Sequence, residues 1–140
     1  MGPAEADALL EALESPAWED RLQGVDRLRH LPVSCDTDFA RRLALALGAC
    51  LKDESLEVCC RCATVAPEAL EWLQKAFASG PSNKPKELQR ALQRLSENLG
   101  DDREAVRAAT QQGLASFAAS NGMRLASALR LAVEFGMRHP

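Results

Sequence analysis

The chain has 140 residues, 46% hydrophobic and 26% charged, which is the composition of one folded domain rather than of a disordered segment. A formal net charge of −3 argues against a general nucleic-acid binder, and no apolar run is long enough to span a membrane. Ala and Leu dominate while Tyr is absent, so the composition predicts an all-α fold.

Apolar residues at helical spacing predict seven helices, or eight if Pro67 divides the fourth in two. Leu28, Val58, Val106 and Leu114 are expected on the buried faces. Asp36 or Thr37 is expected to cap the third helix, and Ser15 the second, with Pro16 at its first turn. In chain order the predicted helices span about residues 4–14, 16–31, 37–51, 54–78, 85–99, 102–119 and 122–138.

One pattern occurs three times. Its windows align without gaps and lie 38 and 48 residues apart, and the irregular stretch 79–85 is expected to supply most of the extra ten residues. This spacing is typical of paired-helix repeats such as HEAT and armadillo. It predicts one domain over residues 1–140, a short right-handed α-α superhelix with one leading helix followed by three antiparallel pairs. The opening Met1-Gly2-Pro3 allows that the chain is a piece of a longer protein. The equivalent residues are Leu9, Leu13, Ser15, Arg21; Leu47, Leu51, Asp53, Cys59; and Leu95, Leu99, Asp101, Arg107.

The first turn has a more specific sequence, in which Trp18 is followed by Arg21, Leu22 and Gly24. This stretch resembles the first repeat of TOG domains, the HEAT-type modules that bind tubulin. The resemblance implies that Trp18 and basic residues on later turns of the same edge, Lys52 and Arg103, contact tubulin. Two departures stand against it: a TOG domain has six helix pairs, about twice as many as here, and acidic residues flank Trp18.

Two interpretations of Trp18 remain open, an exposed anchor for a partner or a staple over the end of the first helix. The sharpest functional hypothesis is a non-catalytic, tubulin- or microtubule-binding module. It requires the turns at 14–18, 51–55 and 99–103 to line one edge, with Trp18 exposed. The alternative is a generic HEAT-type scaffold or adaptor that binds a helix or peptide of another protein in an apolar groove. A third is a structural fragment whose ends pack on further repeats.

The five cysteines are interpreted as buried thiols of a reducing, cytoplasmic compartment. A tubulin-binding function would place the protein at the cytoskeleton, cilium or centrosome. Cys59, Cys60 and Cys62 crowd one helix, but Cys60 points about 100° away from Cys59, and the usual metal-ligand spacing is absent. No metal, no cofactor and no catalytic residue is therefore predicted, and the chain is expected not to be an enzyme.

Leu131 and Phe135 lie four residues apart on the shoulder of the predicted last helix. An apolar pair at the edge of a polar face is typical of an interface. It is expected to be covered by a further repeat or by a second copy of the chain. The alternative is that the last helix rotates and buries both side chains in the core.

Overall fold

A computed structural model describes residues 2–32, 36–78, 80 and 85–120, and in these ranges the secondary structure is entirely helical. The all-α prediction is therefore confirmed. The predicted last helix, with Leu131 and Phe135, lies outside the described residues, so the count of seven or eight helices stays a prediction. The described helices are α1 (Pro3–Leu13), α2 (Trp18–Arg27, continued by a 3₁₀ turn, Leu28–His30), α3 (Thr37–Leu51), α4 (Leu56–Ala78), α5 (Lys86–Asn98) and α6 (Glu104–Ser120).

The helices pack as two rows. In one row α3 lies between α1 and α5, and in the other α4 lies between α2 and α6. Across the rows α1 packs on α2 and α3 packs on α4. The prediction of an unpaired leading helix is wrong within this part of the chain, because the first turn joins α1 to α2 as a pair.

The core fills the space between the two rows. Leu28, Val58, Val106 and Leu114 are all buried, as the aligned windows predict. Asp36 caps α3, since its carboxylate accepts a hydrogen bond of 2.7 Å from the backbone N–H of Phe39. The periodic apolar faces therefore set both the helix register and the burial.

The longest helix, α4, accounts for the unequal window spacing. It has 23 residues, whereas α2 and its 3₁₀ turn have 10 and 3. The prediction that the stretch 79–85 supplies most of the extra residues is therefore wrong. Pro67 lies inside α4 without ending it, and the added length packs beyond α2. There the indole N–H of Trp72 donates to the carbonyl of Pro32 (2.6 Å), and its ring meets Phe39 edge to face.

The crossing of α4 and α6 depends on a glycine. A Cβ on Gly113 would lie 2.6 Å from the carbonyl oxygen of Ala63 and 2.8 Å from the Cα of Thr64. Pro67 has no N–H to donate to the carbonyl of Ala63, four residues earlier. Thus the backbones of α6 and α4 are in close contact at a point where the proline has removed a helical hydrogen bond.

Candidate functional site

The same kind of hydrogen bond occurs in each of the three turns, which join α1 to α2, α3 to α4 and α5 to α6. The side chains of Ser15, Asp53 and Asp101 each accept from the backbone N–H two residues further on, at 3.1, 2.9 and 2.9 Å. Such turns fix the backbone before the next helix begins. The three windows are therefore in register at the level of single hydrogen bonds. The prediction that Ser15 caps α2 is wrong. The hydroxyl of Ser15 accepts its hydrogen bond inside the turn, and α2 begins only at Trp18.

The residues six positions after Ser15, Asp53 and Asp101 are equivalent as well. Nη1 of Arg21 donates to the carbonyl of Ser15 at 2.9 Å, and Nη1 of Arg107 donates to the carbonyl of Asp101 at 2.6 Å. In the second window Cys59 takes this place, and its thiol lies 3.1 Å from the carbonyl of Leu51. Each turn is thus held by a donor from the first turn of the following helix.

Side chains also join each turn to the next. The guanidinium of Arg21 binds both carboxylate oxygens of Asp53, at 2.8 and 3.0 Å. Nζ of Lys52 lies 3.3 Å from Oδ1 of Asn98, whose Nδ2 donates to the carbonyl of Leu51 at 3.1 Å. The turns consequently lie side by side. We call this surface, formed by residues 14–21, 52–57 and 101–107, the turn edge.

Two large apolar side chains are exposed on the turn edge. Trp18 is the first residue of α2 and is 41% exposed, and Leu56 is the first residue of α4 and is 45% exposed. They occupy the same position in the repeat, 38 residues apart. The exposure of Trp18 favours the anchor interpretation over the staple. The prediction missed Leu56, although the window offset applied to Trp18 would have found it.

Lys52 and Arg103, the predicted basic contacts, are exposed but engaged within the chain. Lys52 reaches Asn98, and Arg103 forms two hydrogen bonds with the carboxylate of Asp101, at 3.0 and 3.2 Å. Hydrogen bonds from Arg103 lower the pKa of Asp101 to about 2. The positive charge of Arg103 is therefore largely matched on the surface itself.

The turn edge as a whole is acidic. Its three segments contain nine Asp and Glu residues against four Lys and Arg, with three acidic residues in each segment. Some of these carboxylates stabilise the fold, because those in the first turn of α2, α4 and α6 interact favourably with the positive end of the helix dipole. The remaining field favours a positively charged partner.

An open groove of about 600 Å³ adjoins the turn edge between α1 and α3. Apolar residues line part of it, among them Leu45, which is 53% exposed. Charged residues, among them Glu14, Lys52 and Glu54, line the rest. Exposed apolar surface thus extends from the turn edge onto the α1–α3 row.

The buried thiols lie against backbone carbonyls of neighbouring helices. Cys50, Cys59 and Cys62 are buried as predicted, whereas the prediction for Cys60 is wrong, because that residue is only partly buried. The sulfurs of the three buried residues lie 3.9, 3.1 and 3.8 Å from the carbonyls of Leu13, Leu51 and Leu47. Burial raises the pKa of Cys50 to about 12 and that of Cys62 well above its ordinary value. These thiols therefore stay protonated at neutral pH. Within the described ranges no three His, Cys, Asp or Glu side chains are placed to hold a metal ion.

No protein-family model, curated protein or solved structure matches the chain. In the part of the chain that the structure describes, no helix is both long and apolar enough to cross a membrane. The geometry and charge of the turn edge are thus the basis for an argument about function.

Proposed function

We propose that the chain is a non-catalytic protein–protein interaction module that binds its partner on the turn edge. The observation that carries this proposal is the exposure of Trp18 and Leu56 at equivalent positions of neighbouring turns. Large apolar side chains at the centre of a polar rim are the usual anchors of protein interfaces. The helices behind them are well packed, so the two anchors are presented from a preformed surface.

The proposal includes the architecture. We infer a short right-handed superhelix of the HEAT type, in which each turn is one repeat of a continuous edge. The equivalent hydrogen bonds of Ser15, Asp53 and Asp101 support this inference, as does the packing in two rows. A surface built from repeated turns can bind an elongated partner along its length.

Two forms of this function differ in the charge of the partner. A tubulin-binding, TOG-like form needs cations that are available to an acidic partner. Arg103 is paired with Asp101, and acidic residues outnumber basic ones on the turn edge. The charge therefore favours the scaffold or adaptor form, which binds a helix or peptide of another protein. A reducing cytoplasmic location suits either form and is supported by the free thiols of Cys50, Cys59, Cys60 and Cys62.

The test is selection from a random peptide display library, followed by binding measurements with single variants. Trp18→Ala and Leu56→Ala should each weaken a selected peptide by about 2 kcal/mol, as expected for an anchor. Glu68→Ala, an exposed substitution on α4 about three helical turns from Leu56, is the control. Selected peptides that bind both edge variants as tightly as the unaltered protein would refute the turn edge as the binding site.

A co-sedimentation assay with microtubules tests the tubulin form separately. Binding that is lost in Trp18→Ala and weakened by salt would establish it, since contacts by Lys52 and Arg103 would act through charge. Circular dichroism of the variant is needed to show that the helices remain. The tubulin form fails if the folded, unaltered protein stays in the supernatant.

A further inference from the structure

We infer that the segment docking on the turn edge is a basic amphipathic helix, with apolar residues seven positions apart and a Lys or Arg seven positions beyond them. This inference rests on the proposed function and specifies the partner of the same site. It follows from the charge of the edge and from the spacing of its three turns.

The charge of the partner follows from which ions on the edge are exposed. Asp53 and Asp101 are partly buried and bound to arginines, and Glu14 pairs with Arg42 at 3.0 Å, so these three charges are matched within the chain. The acidic residues outside these three pairs are exposed and distributed over all three turns. Lysines or arginines on a partner would meet a carboxylate at each turn and approach faster at low salt. These exposed acidic residues are Glu19, Asp20, Glu54, Glu57, Asp102 and Glu104.

The spacing of the partner's apolar residues follows from helix packing. Trp18 and Leu56 are the first residues of α2 and α4, which pack directly against each other. Axes of packed helices lie about 8–10 Å apart. Seven residues of an α-helix rise about 10.5 Å and return to the same face. A helix lying across the turn edge therefore presents its residues i and i+7 to Trp18 and Leu56.

The third turn has a carboxylate where the first two have an apolar side chain, so the two ends of the partner helix must differ. Glu104 is the first residue of α6, so it stands where the first two turns have Trp18 and Leu56. A partner helix that continues across the edge meets this exposed carboxylate one further step along. The matching side chain at i+14 is a lysine or an arginine, because a cationic donor makes the strongest hydrogen bonds to a carboxylate.

Two synthetic helical peptides test this inference by fluorescence anisotropy. The basic peptide has 18 residues, with Leu at positions 2 and 9, Lys at position 16 and Lys on the flanks. The acidic peptide replaces every Lys by Glu and keeps both leucines. The basic peptide should bind at least about tenfold more tightly, the lower end of electrostatic steering effects. Equal or tighter binding of the acidic peptide, or no measurable binding of the basic one, would overturn the inference.

A matched pair of charge reversals on α4 locates the contact. Glu57 and Glu68 are both exposed and lie eleven residues apart, which places them on one helical face three turns from each other. Glu57→Lys should weaken the basic peptide about fivefold, while Glu68→Lys should leave its affinity within about twofold. Equal losses in both variants would show general charge attraction instead of docking on the turn edge. Thermal melting confirms that each variant is folded.

The two proposals fail in different ways. If display-selected peptides do not depend on Trp18 and Leu56, the proposed function itself is wrong. If they depend on both residues but are neutral or acidic, the turn edge is the binding site and only the partner assigned to it is wrong.

Discussion

The two junctions between neighbouring helix pairs are built by different physics. The first junction joins α1 and α2 to α3 and α4, and the second joins α3 and α4 to α5 and α6. Among the described residues three ion pairs cross the first junction. The Arg21–Asp53 pair is mostly buried, with 19% and 7% of the two side chains exposed. The pairs and their N–O distances are Arg21–Asp53 at 2.8 Å, Arg42–Glu14 at 3.0 Å and Arg61–Asp26 at 2.7 Å.

The second junction relies on close backbone packing and a neutral amide. Gly113 lets α6 approach the backbone of α4, and Asn98, fully buried, bonds the end of α3. An ion pair between Arg41 and Glu87 is longer, at 3.8 Å. Turns in the same register can therefore be joined either by charge or by shape. The first junction should respond to salt and the second to added volume.

The largest decrease in the free energy of unfolding is expected from Leu114→Ala, at the second junction. Leu114 is buried on α6, which packs mainly on α4. Truncating a core leucine costs about 2–5 kcal/mol through lost burial and the cavity left behind. Urea denaturation measures this loss. A loss below about 0.5 kcal/mol would mean that the core face of α6 is assigned wrongly.

Gly113→Ala tests whether shape holds the second junction. The new Cβ would meet backbone atoms of α4 that cannot rotate away, so we expect a loss of about 1–3 kcal/mol. Gly48→Ala is the control at the same junction, because its Cβ would find its nearest neighbour at 3.6 Å. That variant should be neutral or more stable by up to about 1 kcal/mol, since alanine favours a helix. Equal effects of the two substitutions in urea titrations would contradict the close approach.

Arg21→Met tests the role of charge at the first junction. It leaves the carboxylate of Asp53 mostly buried without its partner, so we expect a loss of about 1.5–3 kcal/mol. The loss should shrink in part in 1 M NaCl, because salt screens a mostly buried pair less than an exposed one. Asn98→Ala, at the second junction, should cost about 1–3 kcal/mol and depend little on salt, since it removes a neutral hydrogen bond to the carbonyl of Leu51 and one from the ammonium of Lys52 to an uncharged amide. The distinction between the junctions fails if denaturation at both salt concentrations gives the two variants the same salt dependence.

The smallest effect concerns Asp101 on the turn edge. Its pKa is lowered from 3.8 to about 2, so the ion pair contributes its full stability above pH 3.8 and loses it as the pH falls towards 2. The change in stability is small because water screens the pair. An NMR titration should place the carboxyl midpoint near 2, and Arg103→Gln should return it towards 3.8. An unchanged midpoint in that variant would remove Arg103 as the cause.

The sequence predicts local features of this fold well and long-range ones poorly. Helix faces follow from spacing, so the burial of Val58 and Val106 is recovered, as is the register of the turns. The extent of α4 is recovered too, since the predicted span 54–78 agrees with Leu56–Ala78. Whether Pro67 divides that helix is not, because a proline is expected to bend or divide a helix and nothing local shows that packing retains it. The ion pair between Arg103 and Asp101 is also missed, because the sequence does not show which cations are already paired within the chain. The ion pair between Arg21 and Asp53 joins residues 32 positions apart, and no local pattern indicates it.

The rate at which the buried thiols are alkylated can report how often the helices around them separate. Alkylating reagents attack thiolates, and burial raises the pKa of Cys50 and Cys62 far enough to keep that form scarce. Modification of either sulfur therefore has to wait until the helices separate around it. Cys50 lies against the end of α1, and Cys62 lies against α3. The rates at which the two native cysteines are modified would thus time the separation of α3 from α1 and of α4 from α3, without any introduced probe.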